Sequence, residues 1–162
     1  MIEVEQAVAE DIEDLIRLES ALFEEDAGTH DPYADTTWPS REGLKDFEDL
    51  IASSDKVLLV ARADGETVGL LAGYAASSSP TRQPVRYAVL RTLFVARPWR
   101  RSGAATTLTE HFLAWAREQG CAEAHVDHYA ANRAAGLFYE RMGFAARSVS
   151  RSLTLGHTDH AG

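Results

Sequence analysis

The stretch Leu93-Phe94-Val95-Ala96-Arg97-Pro98-Trp99-Arg100-Arg101-Ser102-Gly103-Ala104-Ala105 constrains this 162-residue chain more than any other. An apolar run ends there, Pro98 and Gly103 bracket a sharp turn, and a helix follows with Ala105, Leu108, Phe112 and Trp115 on one face. A helix that starts so abruptly leaves its first backbone amides unpaired, with about half a positive charge, and small residues let an anion approach them closely. Arg100 and Arg101 add charge at the same point. The phosphate loop of nucleotide hydrolases would end in Gly-Lys-Ser/Thr, and a dinucleotide fingerprint would show three spaced glycines; neither pattern is present.

The remaining chain reads as one continuous alternation of elements without repeats or a dividing linker. Residues 2–8 alternate as a strand. Residues 9–25 carry Ile12, Leu15, Ile16, Leu22 and Phe23 at helical spacing, with acidic residues crowded into the first turn. The segment from Asp26 to Pro39 is loop-like and reads as a substrate lid, and Ser40 is expected to cap a helix burying Leu44, Phe47, Leu50 and Ile51. Two apolar runs, 56–63 and 67–76, flank Asp64-Gly65 as a hairpin. Strand 85–96, the helix closed by Gly120, strand 122–129, helix 133–142 and a terminal strand over 143–155 complete the order β-α-α-β-β-β-α-β-α-β. With 45% apolar residues, residues 1–155 are expected to form one domain and 156–162 a frayed tail.

Charge narrows the function classes. The formal net charge of −9 opposes nucleic-acid binding, which needs a dense basic face. Residues 1–50 hold 16 acidic and 3 basic side chains, whereas the rest hold 9 and 13. Either the early acids lie on solvent faces of helices or they steer a cationic substrate. No run approaches the ~18 apolar residues of a membrane span, the N-terminus has no basic and apolar leader, and the single Cys121 has no disulfide partner. A cytoplasmic protein without membrane association is the expectation.

A second informative stretch is Asn132-Arg133-Ala134-Ala135-Gly136-Leu137-Phe138-Tyr139-Glu140-Arg141-Met142-Gly143-Phe144. Asn132 is placed to cap a short helix, and Tyr139, about two turns later, shares its face. Together the two stretches resemble the GNAT superfamily of N-acetyltransferases. The first resembles its Gln/Arg-x-x-Gly-x-Gly/Ala acyl-CoA loop through Arg100, Gly103 and Ala105, and the second its Asn-x-x-Ala-x-x-x-Tyr-Glu-x-x-Gly-Phe segment. The element order over residues 1–155 matches as well. In two respects the chain departs from the pattern: Arg101 stands where the family often has glycine, and strand 85–95 lacks the Asp or Glu that serves some members as base.

The resemblance implies an α+β fold, a mixed and mostly antiparallel sheet flanked by helices, and acetyl-CoA as co-substrate without a metal. It implies that Leu93, Phe94, Val95, Arg100, Arg101, Ser102, Gly103, Ala104, Ala105, Asn132, Ala135 and Phe138 form the acyl-CoA site. The backbone N–H near Leu93 would polarise the thioester carbonyl, and Tyr139 would protonate the departing sulfur. Apart from the resemblance, Tyr139 reads as a core aromatic beside Phe138, and Asn132 as a cap that is also able to touch the pantetheine arm.

An amine of pKa near 10.4 must lose a proton before attack, so the site needs a base. Asp127 and His128 fall near the expected transfer centre, and Glu24, Asp26 and His30, with Trp38 in the same loop region, are candidates for the substrate side. His125 and His128 lie on opposite faces of their strand, which rules out a metal cluster with Asp127; His157, Asp159 and His160 belong to the tail. The leading expectation is acetyl transfer to a primary amine of a small cationic molecule. Protein or peptide N-acetylation and non-catalytic acyl-CoA binding are the alternatives, and the C-terminal region would allow a homodimer.

Overall fold

The computed structural model of the protein describes residues 1–156. Its centre is a five-stranded sheet in the order β1-β2-β3-β4-β5, formed by Ile2–Gln6, Lys56–Ala63, Glu66–Ser77, Arg86–Val95 and Glu123–Val126. The first four strands run antiparallel to their neighbours, and β5 pairs with β4 in parallel. β2 and β3 are nearly continuous apolar runs because both faces of the sheet are covered. Leu58, Val60, Leu70 and Phe94 pack under helices α1 (Ile12–Leu22) and α3 (Trp38–Ala52). Leu59, Leu71, Leu90 and Ala88 pack under α4 (Ala104–Glu118) on the opposite face, where Tyr139 of α5 (Arg133–Arg141) also joins the core.

The hairpin forms as its turn chemistry predicts, with Asp64 and Gly65 both at positive φ. Two irregularities position the site. The β3–β4 register jumps between Ala72↔Thr92 and Gly73↔Leu90, so Arg91 is the extra residue of a bulge. β5 pairs with β4 only from Tyr87 to Leu90, and beyond that point the β4 edge that faced β5, Leu93 included, has no strand partner among the described residues.

Three local expectations are corrected. The first helix is α-helical only to Leu22, then widens into a π-turn over Phe23–Ala27 and a single α-turn, α2, over Gly28–His30. Helix α3 starts at Trp38, not after Ser40, because Asp35 accepts hydrogen bonds from the Thr37 backbone and hydroxyl and Pro39 suits the first turn. Its buried stripe is Pro39, Gly43, Phe47 and Leu50; Leu44 is 56% exposed, since Gly43 lets α3 close onto Ile16 of α1. The terminal strand is not formed: residues 144–156 take no ladder partner among the described residues, and Val149, Leu153 and Leu155 stand 77%, 82% and 85% exposed. The expected tail, apart from Gly156, lies outside the described residues, as do His157, Asp159 and His160.

Candidate functional site

A cavity of about 1220 Å³ opens where β5 parts from β4. Its walls come from α1, the segment 23–38, the C-terminal half of β4, the start of α4, and the stretch from Val126 through α5. Sequence-distant segments meet here because splayed strands leave a wedge that no side chain fills.

The turn into α4 is left open on its outer side. Arg101 and Gly103 both sit at positive φ, 66° and 88°. Glycine tolerates that conformation, whereas a residue with a Cβ is strained there by roughly 1 kcal/mol, so Arg101 is held where the related loops use glycine. A Cβ at Gly103 would meet nothing within 4 Å, so the approach to the helix start is open. Among the described residues the Ala105 and Thr106 amides find no acceptor, while Ala104 N–H reaches only the Ser102 hydroxyl at 3.4 Å. These unpaired donors, with Arg101 exposed beside them, suit a diphosphate. Arg100 lines the cavity, and its guanidinium donates to Glu25 at 2.5 and 2.7 Å and to the Val95 carbonyl at 3.0 Å, and lies 5.3 Å over Phe94. Those hydrogen bonds hold the Glu25 carboxyl below its ordinary range and tie the π-turn to β4.

Helix α5 explains the second stretch locally. Asn132 Oδ1 accepts from Ala135 N–H at 3.1 Å as an N-cap, and its Nδ2 donates to Asp26 Oδ1 at 3.1 Å, clamping the early segment onto α5. At the other end Gly143, at φ 96°, lets Phe144 N–H reach the Tyr139 carbonyl at 2.9 Å in a left-handed helix stop. Phe144 thereby packs edge-on against Tyr139, ring centroids 5.6 Å apart, with Phe138 edge-on at 5.3 Å and His128 stacked at 6.0 Å. The Tyr139 hydroxyl hydrogen-bonds to nothing among the described residues and lines the cavity. Burial, then the nearby Asp26 charge, pushes the phenol up to about 12, so it keeps its proton throughout the neutral range.

Of the remaining expected residues, Leu93, Phe94, Val95, Ala105, Ala135, Phe138, Asp26, His30, Trp38, Asp127 and His128 line the cavity. Trp38 stacks on Phe23 at 6.0 Å, and His30 meets the Tyr129 ring at 5.2 Å. Asp127 and His128 are exposed at its rim. His128 Nδ1 faces the Tyr129 carbonyl at 2.9 Å, an oxygen that only accepts, so Nδ1 carries the hydrogen and Nε2 is the open acceptor of the neutral ring. Glu24 is exposed and outside the cavity wall; its neighbour Glu25 is the lining residue, because the π-turn rotates the chain there.

Several charged lining residues were not anticipated, and Glu19 and Arg91 are the two that meet across the cavity wall. Glu19 is only 2% exposed and Arg91 reaches the cavity from the β4 bulge. Glu19 carries a sequence signal: it falls on the buried face of α1 with Ile12, Leu15 and Leu18, where an apolar residue is expected. Arg91 carries none, since a bulge depends on pairing between strands. Five of the six carboxylates lining the cavity, Glu19, Glu25, Asp26, Asp35 and Asp46, come from the acidic first fifty residues. Among the described residues no three His, Cys, Asp or Glu side chains are grouped to hold a metal, and no helix is long and apolar enough to cross a membrane.

The fold recurs among solved structures. A mutant of the BH1408 protein from Bacillus halodurans superposes with a TM-score of 0.84 at 18% identity, covering 94% of this chain and 99% of its own. Aminoglycoside N-acetyltransferase AAC(6')-Iy in complex with CoA gives 0.75 at 17%, covering 95% and 94%. Aminoglycoside 6'-N-acetyltransferase AAC(6')-Ih from Acinetobacter baumannii gives 0.70 at 20%, covering 96% and 100%. At these identities the likeness is one of fold. No curated protein sequence matches the chain. The acetyltransferase (GNAT) family model matches residues 12–144, from the first helix through the Gly143-Phe144 stop that braces Tyr139. A match over that much of the sequence, on a fold with the splayed sheet and open helix start just described, means that this chain belongs to the acetyltransferase (GNAT) family, the acetyl-CoA-dependent N-acetyltransferases.

Proposed function

We propose that this chain transfers an acetyl group from acetyl-CoA to a primary amine of a small cationic molecule, the amine attacking directly while both substrates are bound. The observation that carries the reading is a single cavity lined by an unengaged phenol, an unpaired strand edge at Leu93 and an excess of carboxylates. Acetyl-CoA supplies, when bound, a thioester carbonyl open to attack. The Ala105 and Thr106 amides with Arg101 bind its diphosphate. Leu93 N–H donates to the developing oxyanion, a contribution of roughly 3 kcal/mol. Tyr139 donates a proton toward the leaving sulfur. Ammonium and thioester become amide and thiol, with one proton released, and removing that proton at pH 7 costs about 4.6 kcal/mol.

Carboxylate surplus supports a cationic substrate: Arg91 is hydrogen-bonded to Asp46 and Arg100 to Glu25, which leaves Asp26 and Asp127 without a partner among the described Lys and Arg residues and Glu19 with only a 3.9 Å approach from Arg91. Two fold neighbours are named as aminoglycoside acetyltransferases, so aminoglycosides lead the amines to test, followed by polyamines and peptides. Calorimetry is expected to show acetyl-CoA binding, and a thiol-release assay to show turnover with aminoglycosides or small polyamines. Turnover only with peptides, or binding without thiol release from any amine, removes this reading. A cytoplasmic setting, in which Cys121 stays reduced, accords with it.

The C-terminal segment gives the dimer expectation a physical form. Val149, Arg151, Leu153 and Leu155 alternate with Ser148, Ser150, Ser152 and Thr154, the pattern of a half-buried strand, yet its apolar face is exposed. β5 ends the sheet with its outer edge unpaired among the described residues. A second copy offers that edge to the segment. Light scattering is expected to report a dimer that becomes monomeric on deletion of residues 148–162; a monomeric full-length chain at micromolar concentration removes the idea.

A further inference from the structure

We propose that Glu19 is the group that accepts the proton from the substrate ammonium, an inference that rests on the amine-acetylation reading above. Four observations converge on it. Glu19 is 2% exposed but lines the same cavity as Leu93 and Tyr139. Its Oε2 is enclosed without a hydrogen bond, and its Oε1 lies 3.9 Å from Arg91 Nη2, beyond hydrogen-bonding distance. Arg91 is already committed to Asp46 through bonds of 3.1 and 2.7 Å, so it faces Glu19 without capturing it. The β4 bulge that brings Arg91 there is adjacent to the unpaired edge at Leu93.

Buried carboxylates are ordinarily satisfied by donors, and one left unpartnered on a cavity wall is a group kept for a ligand proton. Loss of water pushes the Glu19 carboxyl up to about 7, with Arg91 of β4 opposing the rise and Asp46 of α3 adding to it. Both protonation states are therefore populated near neutrality, the condition under which a general base is most effective. The rival acceptors are differently placed. Asp26 is held by Asn132, Asp127 is exposed, and His128 stands at the rim in solvent. In the step itself the ammonium N–H bond breaks and a Glu19 O–H bond forms, leaving a neutral amine with its lone pair free. Glu19 then returns the proton to water through the open mouth of the cavity.

The test is the pH dependence of kcat/KM for an accepted amine, measured with Glu19→Gln, Glu19→Asp and His128→Gln. Wild type is expected to rise with pH around 7, well below the titration of the free amine. Glu19→Gln is expected to lose that limb and about 10²-fold or more of its rate at pH 7.5, whereas Glu19→Asp keeps the limb at reduced rate. Infrared titration of the ligand-free protein provides a readout apart from turnover: a protonated carboxyl band vanishing around pH 7 in wild type and missing from Glu19→Gln. Calorimetric acetyl-CoA binding shows that each variant is folded. Persistence of the limb in Glu19→Gln, a change confined to KM, or loss of the limb only in His128→Gln overturns the proposal. Wild-type protein that binds acetyl-CoA and acetylates no amine overturns the function reading, and this proposal with it.

Discussion

Tyr139→Phe is expected to lower kcat by about 10²-fold to 10⁴-fold while leaving acetyl-CoA affinity and the amine KM nearly unchanged. The expectation follows from what the hydroxyl does not do. It makes no hydrogen bond among the described residues, so its removal breaks nothing that holds α5, and the ring keeps its packing with Phe138, Phe144 and His128. The lost interaction exists only when sulfur is departing, and an interaction confined to the transition state moves kcat, not substrate binding. Because the phenol is pushed up to about 12, its ionisation imposes no falling limb on the wild-type pH profile below about pH 10. Steady-state kinetics across pH 6–10 check both statements. Full activity in the phenylalanine variant removes Tyr139 from the acid role.

The second large effect is on stability. The Glu19 carboxyl titrates near 4.5 when unfolded and about 7 when folded, so the native state retains a proton that the unfolded state has released. For an acid raised in this way the penalty is absent below pH 4.5, grows as pH rises toward 7, and is complete above it. The shift corresponds to about 3 kcal/mol at its full extent. Glu19→Gln removes the titration while preserving shape, so wild type is expected to lose about 2 to 3 kcal/mol relative to the variant between pH 5 and pH 8. Urea unfolding of both proteins at the two pH values measures this difference. The remaining ion pairs, such as Arg62 with Asp11 and Arg100 with Glu25, are common to both chains and cancel in the subtraction. Parallel pH dependences would show that the carboxyl is not desolvated. The stability experiment and the proton-acceptor experiment therefore read the same titration by independent routes.

The legible parts of the site were those encoded over short spans. Gly103 ends up at positive φ at the head of α4, and Asn132 caps α5 seven residues before Tyr139; neighbours in sequence set both features. The hairpin over Asp64-Gly65 and the apolar runs of β2 and β3 follow from turn chemistry and burial for the same reason. Glu24 and Glu25 illustrate the limit of that reading. They are adjacent and chemically equal, and a π-turn, one extra residue in the helical spiral, decides that Glu25 lines the cavity and meets Arg100. Arg100 likewise carries positive charge in the sequence, but a partner 75 positions away neutralises it.

By itself the sequence determined the small-residue turn that opens α4, the phenol on the next helix face and the acidic bias of the first fifty residues, since each depends on local backbone geometry or on composition. Only the tertiary structure decided that β5 leaves β4 after Leu90, that a bulge turns Arg91 into the cavity, and that residues 144–156 find no strand partner among the described residues. It alone buried Glu19 with its Oε2 free of any hydrogen bond among the described residues. Register, bulging and desolvation are properties of pairs of segments brought together from far apart in the chain, and no spacing along a single segment encodes them.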